Sequence, residues 1–166
     1  DCYSLKSVDL RGFNTSLIED MDSVFKGLND LTSLDISSFD TSKVKNMYSL
    51  FSGCQSLTSI NIDNFDTSKV TNMEHLFFYC RELELIKLSN FDTSNVENLM
   101  NCFFECKKLK AIKGINEFNL KNIDDISKIS FQGCNSLEYL DLSNFDSSLL
   151  TDMSYMFCDC FNLKEI

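Results

Sequence analysis

The sequence repeats with a period of 26 residues, which two columns of phenylalanine make visible. Self-similarity at a fixed period of about 20–50 residues is the signature of a solenoid, in which each unit stacks on its neighbours. A small insertion in the fifth unit interrupts the step. The first column contains Phe13, Phe39, Phe65, Phe91, Phe118 and Phe145, and the second contains Phe25, Phe51, Phe77, Phe103, Phe131 and Phe157. We therefore predict a single elongated solenoid domain over residues 1–166.

Each unit begins with a short apolar pattern of period two. In the unit from Leu57 to Cys80, Ile60 and Ile62 alternate with Asn61. This alternation is typical of a half-buried strand. We expect the same strand in each of about six coils, so that neighbouring coils form a parallel sheet. In the fifth coil Gly114 stands at an apolar strand position, where we expect a bulge.

A Phe-Asp-Thr-Ser tetrapeptide follows the strand. The side chains of Asp, Thr and Ser bond nearby backbone amides, so the segment predicts a turn whose Phe points into the core. A column of Asp on a solenoid would also suit calcium. The turn is the favoured interpretation, because Asn14 and Asn119 replace the Asp in two coils. The tetrapeptide is found at 39–42, 65–68, 91–94 and, in relaxed form, 145–148.

The second half of each unit has the spacing of one face of a helix. Met73, Leu76, Phe77 and Cys80 follow one another at offsets of three, one and three. One column just before this face holds Asn or Asp, the preferred N-cap residues, in all six coils. We predict a short helix after each of them, and hence an α/β coil. The column contains Asp20, Asn46, Asn72, Asn98, Asp125 and Asp152.

Six of the eight cysteines share one column of the repeat, with Leu28 in the missing place. A position that accepts Leu and Cys alike is a small apolar core site, so we expect buried thiols. Disulfides between neighbouring coils remain an alternative. Intervals of 26 residues do not build a tetrahedral metal site, and no metal is predicted. The column contains Cys2, Cys54, Cys80, Cys106, Cys134 and Cys160, whereas Cys102 and Cys158 lie outside it.

The charge of the chain excludes several classes of partner. Its formal net charge is −10, whereas nucleic acids and anionic membranes attract clustered Lys and Arg. No apolar run approaches the roughly 18 residues of a membrane span. The sequence also contains no phosphate loop or His-Glu-x-x-His motif, and its only histidine, His75, lies in a polar column. We therefore expect no enzyme, no cofactor, no nucleic-acid partner and no membrane insertion by this segment.

The string from Phe51 through Cys54, Leu57 and Ile60 to Ile62 resembles the BspA-like leucine-rich repeats of microbial surface proteins. The longer pattern, which adds Phe-Asp-Thr-Ser, Val, Asn-Met and Leu-Phe, is similar to the 26-residue variant of bacterial surface proteins and mycoplasma-type lipoproteins. This resemblance implies a leucine-rich-repeat solenoid, displayed at the cell surface or secreted, with a role in adhesion or ligand binding and no catalytic residues. In the ordinary repeat an Asn ladder follows the strand. Phe65 and its equivalents stand there instead, so the hydrogen bonding must differ.

The chain begins and stops inside a unit, and neither end shows an atypical capping repeat. We expect it to be a segment of a longer array, with strand edges that favour end-to-end self-association.

Two surfaces are candidates for binding a protein or glycan on another surface. Curved repeat arrays bind along the concave face of their sheet, and an apolar centre flanked by charges is typical of a protein-binding patch. An ordinary solvated sheet is the alternative. A second candidate patch consists of Phe78, Tyr79 and Phe104, whose alternative role is to cover the edge of the core. The concave-face candidates are Asp35, Asn61, Leu85, Lys87, Lys113, Tyr139 and Asp141.

The predicted function is a non-catalytic, extracellular module for binding or adhesion through the concave face. A structural stalk that displays another domain is the alternative.

Overall fold

A computed structural model describes residues 2–123, 128–146, 148 and 150–166. Successive repeats lie on one another in parallel, so each residue has its equivalent from the next repeat beside it. The strands β1 (Leu85–Lys87) and β2 (Ala111–Lys113) pair in parallel with an offset of 26 residues, from Leu85 against Ala111 to Lys87 against Lys113. The predicted solenoid is confirmed.

The prediction of a regular strand in every coil is confirmed only for β1 and β2. Tyr139 and Glu165 form an isolated parallel bridge in the last coils. Between the third and fourth coils, the amide of Glu84 donates to the carbonyl of Thr58 at 3.3 Å, close to the limit for a hydrogen bond. Residues 34–36 and 60–62 belong to no regular strand.

The helix prediction is wrong for the described residues, which contain no α-helix; the helical element that they describe in full is the 3₁₀ turn Ile115–Glu117. After Asn72, alternate amides donate to the next coil instead. Those of Leu76, Phe78 and Cys80 donate three residues back along the chain. The inter-coil donors are Met73, His75, Phe77 and Tyr79, which reach Asn98, Met100, Cys102 and Phe104 at 2.8–2.9 Å.

Coil spacing explains why helices are excluded. Packed helices need about 8–10 Å between their axes, whereas neighbouring strands lie about 4.8 Å apart. On the side where helices were predicted, the rings of Phe51 and Phe77 are only 5.6 Å apart. At that spacing the backbone bonds its equivalent in the next coil, and each predicted N-cap forms a local turn; Asn72 Oδ1, for example, accepts from the amide of Glu74 at 2.9 Å. The position at Asp125 lies outside the described residues.

The second phenylalanine column forms a continuous stack through the core. Its ring centroids are 5.6–6.1 Å apart and neighbouring rings are within 13° of parallel. Such offset stacking adds to the hydrophobic gain of burying each ring. We call this stack the aromatic ladder, and it contains Phe25, Phe51, Phe77, Phe103, Phe131 and Phe157.

The first phenylalanine column also points inward in the middle of the chain. Phe39, Phe65, Phe91 and Phe118 are buried, which confirms the prediction for the turn, whereas Phe13 is 61% exposed. The Asp of each turn accepts from the amide two residues on, as Asp66 does from Ser68 at 3.0 Å. Ser147, in the relaxed turn, lies outside the described residues.

A ladder of buried threonines connects the turns of neighbouring coils. Thr41 Oγ1 donates to the carbonyl of Asp66 in the next coil at 3.0 Å and accepts from the amide of Asp66 at 2.8 Å. Thr67 donates in the same way to Asp92 at 3.0 Å. One hydroxyl thus satisfies groups that the tight turn would leave unpaired. The threonine ladder contains Thr15, Thr41, Thr67 and Thr93.

Replacing Thr67 by Val should lower the free energy of unfolding by about 1–3 kcal/mol, because it keeps the shape but leaves the carbonyl of Asp92 without its donor. Urea unfolding followed by circular dichroism measures the change. Thr58→Val is the matched control, because Thr58 is exposed and should tolerate the same exchange. Equal losses in both variants would contradict a special role for the ladder.

The cysteine column consists of free thiols, so the alternative of disulfides is excluded in this structure. Cys54, Cys80, Cys106 and Cys134 are fully buried, as predicted, whereas Cys2 is exposed. Each buried thiol donates to the carbonyl of a ladder Phe in the preceding coil; Cys80 Sγ lies 3.1 Å from the oxygen of Phe51. The S–H group therefore donates a hydrogen bond to a backbone carbonyl, which the side chain of Leu could not do.

Gly114 ends β2 without the predicted bulge. The pairing of β1 with β2 is regular, and Gly114 turns the chain with φ of 83° into the 3₁₀ turn. A Cβ atom at this position would lie 2.4 Å from the backbone nitrogen of Ser89, so only glycine fits. The turn brings Ile115 into the buried place that Leu88 occupies one coil earlier.

Candidate binding surfaces

The side chains that flank the buried strand residues form one surface, which we call the strand face. Four of its predicted residues, Asp35, Asn61, Lys87 and Lys113, are exposed, and Leu85 is half-buried. The remaining two residues, Tyr139 and Asp141, lie further along the array.

Two adjoining grooves bring most of the predicted strand-face residues together. Asn61, Leu85 and Lys87 line a groove of about 340 Å³. Lys87 and Lys113 line the next one, of about 260 Å³, and Asp63 belongs to both. The shared residues make the grooves continuous across three coils.

Tyr139 and Asp141 line a separate groove of about 690 Å³ with Lys164 and Glu165. Tyr139 is 51% exposed. Asp141 accepts from the side-chain amide of Asn116 at 2.9 Å and from the backbone amide of Ser143 at 3.0 Å. The structure therefore divides the predicted surface into two parts.

Asp35 lines none of these three grooves, and its carboxylate forms hydrogen bonds within its own turn. Its carboxylate accepts from the hydroxyl of Ser37 at 2.7 Å and from the backbone amide of Ser37 at 3.1 Å. These hydrogen bonds, the one from the hydroxyl most, lower the pKa of Asp35. Hydrogen bonds to Ser143 do the same for Asp141. Both carboxylates thus stabilise their own turns, a role that the alternation of the sequence did not reveal.

The charges of the strand face differ from those beside it. Lys108 and Lys110 each pair with a Glu one coil earlier, at 2.6 and 2.7 Å. Lys87 and Lys113 stand side by side in the register of β1 and β2, and in the described part of the chain neither forms an ion pair. Like charges on directly neighbouring strands are destabilising. This pair of lysines is therefore an unfavourable local concentration of positive charge on an acidic chain.

The second candidate patch is a packed group of rings, which we call the aromatic cluster: His75, Phe78, Tyr79 and Phe104. Phe78 stacks on Phe104 with centroids 5.0 Å apart, and Tyr79 lies 4.6 Å from Phe78 and 5.6 Å from Phe104. The predicted proximity of the three residues is confirmed. All three rings are half-buried.

His75 completes the cluster, which the sequence analysis did not anticipate. Its ring lies 4.6 Å from that of Phe78 and 5.7 Å from that of Tyr48. Burial lowers the pKa of His75, so the neutral imidazole is favoured at neutral pH. The available signal was the step of 26 residues, which places Tyr48 beside Glu74 of the next coil and therefore close to its neighbour His75.

A family model identifies the chain. It is described as "Mycoplasma protein of unknown function, DUF285", and it matches residues 1–111 and 79–165. The chain belongs to this family. The recognition of a BspA-like leucine-rich-repeat protein from the sequence is thereby confirmed. No curated protein matches the chain significantly.

Solved structures of two bacterial proteins are similar to this DUF285 chain. A leucine-rich repeat protein from Eubacterium ventriosum has a TM-score of 0.51 and 20% identity, over 87% of this chain and 44% of that protein. The T. pallidum leucine-rich repeat protein TpLRR has a TM-score of 0.47 and 17% identity, over 89% of this chain and 72% of that protein. The first likeness supports the leucine-rich-repeat fold and nothing beyond it. This chain spans less than half of the Eubacterium protein.

The described residues of this DUF285 chain present no group of three or more His, Cys, Asp or Glu side chains that suits a metal ion. In the same residues, no helix is long and apolar enough to cross a membrane. The described surfaces present open grooves, two adjacent lysines and a cluster of aromatic rings.

Proposed function

We propose that this DUF285 chain is a non-catalytic binding module, displayed at a cell surface or secreted, that recognises a protein or glycan on another surface through its strand face. The observation that carries the proposal is the pair Lys87 and Lys113. Neighbouring coils elsewhere pair Lys with Glu across the same 26-residue step, whereas these two lysines repel each other. A partner with negative charge would remove that repulsion on binding.

The surroundings of the two lysines support a binding surface. Leu85 is half-buried between the exposed side chains of the strand face and lines the first of the two adjoining grooves. A small apolar centre with charged groups around it is typical of protein interfaces. The interaction would extend over several coils, because no single groove is deep.

A structural spacer is the second candidate. It is supported by the aromatic ladder, whose six rings stack without interruption and would make the array stiff. A spacer requires no ligand on the strand face, so binding experiments separate the two candidates.

The test uses the whole chain on a panel of immobilised extracellular matrix proteins and glycans. Where the wild type binds, the triple variant Leu85→Glu, Lys87→Glu and Tyr139→Ala should raise the Kd at least tenfold, since residues that matter in an interface each contribute about 1 kcal/mol or more. The matched control is Lys108→Glu with Lys110→Glu, which reverses two charges just outside the strand face. Undiminished binding by the triple variant would refute the proposed surface. Failure of the wild type to bind any member of the panel would favour the spacer.

A further inference from the structure

A groove of about 230 Å³ lies beside the aromatic cluster and is distinct from the strand face. Phe78 and Tyr79 line one side of it, and Gly27 and Gly53 line another. Tyr79 occupies the repeat column in which these two glycines stand in the preceding coils. The groove therefore arises where the column changes from no side chain to an aromatic ring.

The backbone at Tyr79 keeps the left-handed conformation of the two glycines. Gly27 and Gly53 have φ of 72° and 74°, which glycine adopts freely. Tyr79 has φ of 60° and His75 has φ of 57°, in the left-handed region that bulky side chains seldom occupy. The equivalent positions of other coils have the same conformation, for example Ser49 with φ of 52° and Glu105 with φ of 59°. The backbone turn is therefore common to the coils, and the aromatic side chains are what distinguish this one.

The polar side chains of the groove indicate the charge of its ligand. Lys26, Ser52 and Gln55 line it, and no acidic side chain does so in the described part of the chain. This is unusual for a protein with a net charge of −10. Arg81 does not line the groove, but its guanidinium lies 4.9 Å from the centre of the Tyr79 ring and adds positive charge nearby. Its Nε is buried with no hydrogen-bond partner among the described residues. The groove is complementary to an anion.

The size of the groove limits the ligand to a single ring. Pockets for drug-sized ligands have about 300–1,000 Å³, and this groove has about 230 Å³. An aromatic wall with a few polar groups suits a ring that has an apolar face and a polar rim. A sugar has this form, and a uronic acid adds the carboxylate that the basic groups require.

We propose that this groove binds one carboxylated sugar ring of an acidic glycan. The face of the sugar packs on Phe78 and Tyr79, and its carboxylate pairs with the ammonium of Lys26. Its hydroxyls bond with Ser52 and Gln55. The site is separate from the strand face, so it stands or falls independently of the proposed function.

Saturation-transfer NMR with D-glucuronate and D-glucose as probes tests the proposal on the whole chain. A single sugar ring is expected to bind with a Kd of the order of 1 mM, which this method detects. The wild type should bind glucuronate at least about tenfold more tightly than glucose, because charge-assisted hydrogen bonds are the stronger ones. Tyr79→Gly should abolish the glucuronate signal, and Lys26→Gln should remove the preference for glucuronate over glucose.

The chain supplies matched controls for both variants. Glycine already occupies the Tyr79 column in three coils, so Tyr79→Gly should fold, which circular dichroism checks. Asp159→Gly alters the same column at the same φ of 60° far along the chain and should bind glucuronate normally. The strand-face triple variant should also bind normally, since it leaves this groove unchanged.

Three results would overturn the proposal. The first is equal binding of glucose and glucuronate by the wild type, including no binding of either. The second is undiminished binding of glucuronate by the folded Tyr79→Gly variant. The third is displacement of glucuronate by equimolar acetyl-Glu-amide, which would assign the groove to an acidic peptide instead of a sugar.

Discussion

Replacing Phe77 by Ala is expected to lower the free energy of unfolding by about 3–5 kcal/mol. Phe77 is fully buried in the middle of the aromatic ladder, with Phe51 at 5.6 Å on one side and Phe103 at 6.1 Å on the other. Truncation removes the transfer free energy of the ring and leaves a cavity between two flat neighbours. The gap cannot collapse easily, because the backbones above and below are fixed to each other by inter-coil hydrogen bonds. Urea unfolding followed by circular dichroism measures the loss.

The adjacent residue provides the control. Phe78 has the same side chain but is half-buried and points into the aromatic cluster, so Phe78→Ala should have a clearly smaller effect. Phe157, the last ring of the ladder, is only partly buried, and Phe157→Ala should also be milder. A loss for Phe77→Ala no greater than that for Phe78→Ala would contradict the ladder as the main source of stability.

The repeat period predicted the columns of the fold correctly because stacking at a fixed step brings equivalent residues together. Phe51 and Phe77 could be placed in contact from their spacing alone, and so could Phe78 and Phe104. Such an inference needs only that every coil has the same path. It fails where the path changes, as at Gly114, where the insertion is accommodated by a 3₁₀ turn instead of a bulge.

The helix prediction failed because two backbone conformations produce the same apolar pattern. Met73, Leu76, Phe77 and Cys80 are buried with the spacing of a helix face, although the chain there is a series of turns. The sequence did contain a contrary signal in the column of Gly27, Gly53 and Gly133. A recurrent glycine inside a short helix is unfavourable, whereas it suits a residue with positive φ.

The strand face was predictable as a surface but not as a set of contacts. Alternation along each strand placed Asn61, Lys87 and Lys113 outside the core. Their partners depend on side-chain conformations that the repeat does not determine. The pattern therefore did not show that Asp35 bonds with Ser37, or that Lys110 is paired while Lys113 is not.

The buried thiols should make the protein sensitive to alkaline pH. Burial raises the pKa of Cys54 to about 12 and raises those of Cys80, Cys102, Cys106 and Cys134 as well. In the unfolded chain a thiol ionises near pH 8.5. Above that pH the folded state binds more protons than the unfolded state, so the free energy of unfolding falls as the pH rises. Below that pH the thiols are protonated in both states and add no pH dependence to the free energy of unfolding.

The expected loss is about 1.4 kcal/mol per thiol for each pH unit between about 9 and 12. Five such thiols act together, and a domain of this kind has a free energy of unfolding of about 5–15 kcal/mol. The chain should therefore unfold between about pH 9 and 11. Urea unfolding in a reducing buffer at several pH values from about 7 to 10.5 measures the slope.

A single substitution tests whether the thiols cause this slope. Cys80→Val removes one ionisable group from a column that already accepts Leu28. Above about pH 9, the slope of the free energy of unfolding against pH should become less steep by about 1.4 kcal/mol per pH unit. Its effect at pH 7 is a separate quantity, because there it reports only packing and the lost bond to the carbonyl of Phe51. The slope thus isolates ionisation from packing. Constant stability from about pH 8.5 to 10.5, or an unchanged slope in Cys80→Val, would show that the thiols do not govern alkaline unfolding.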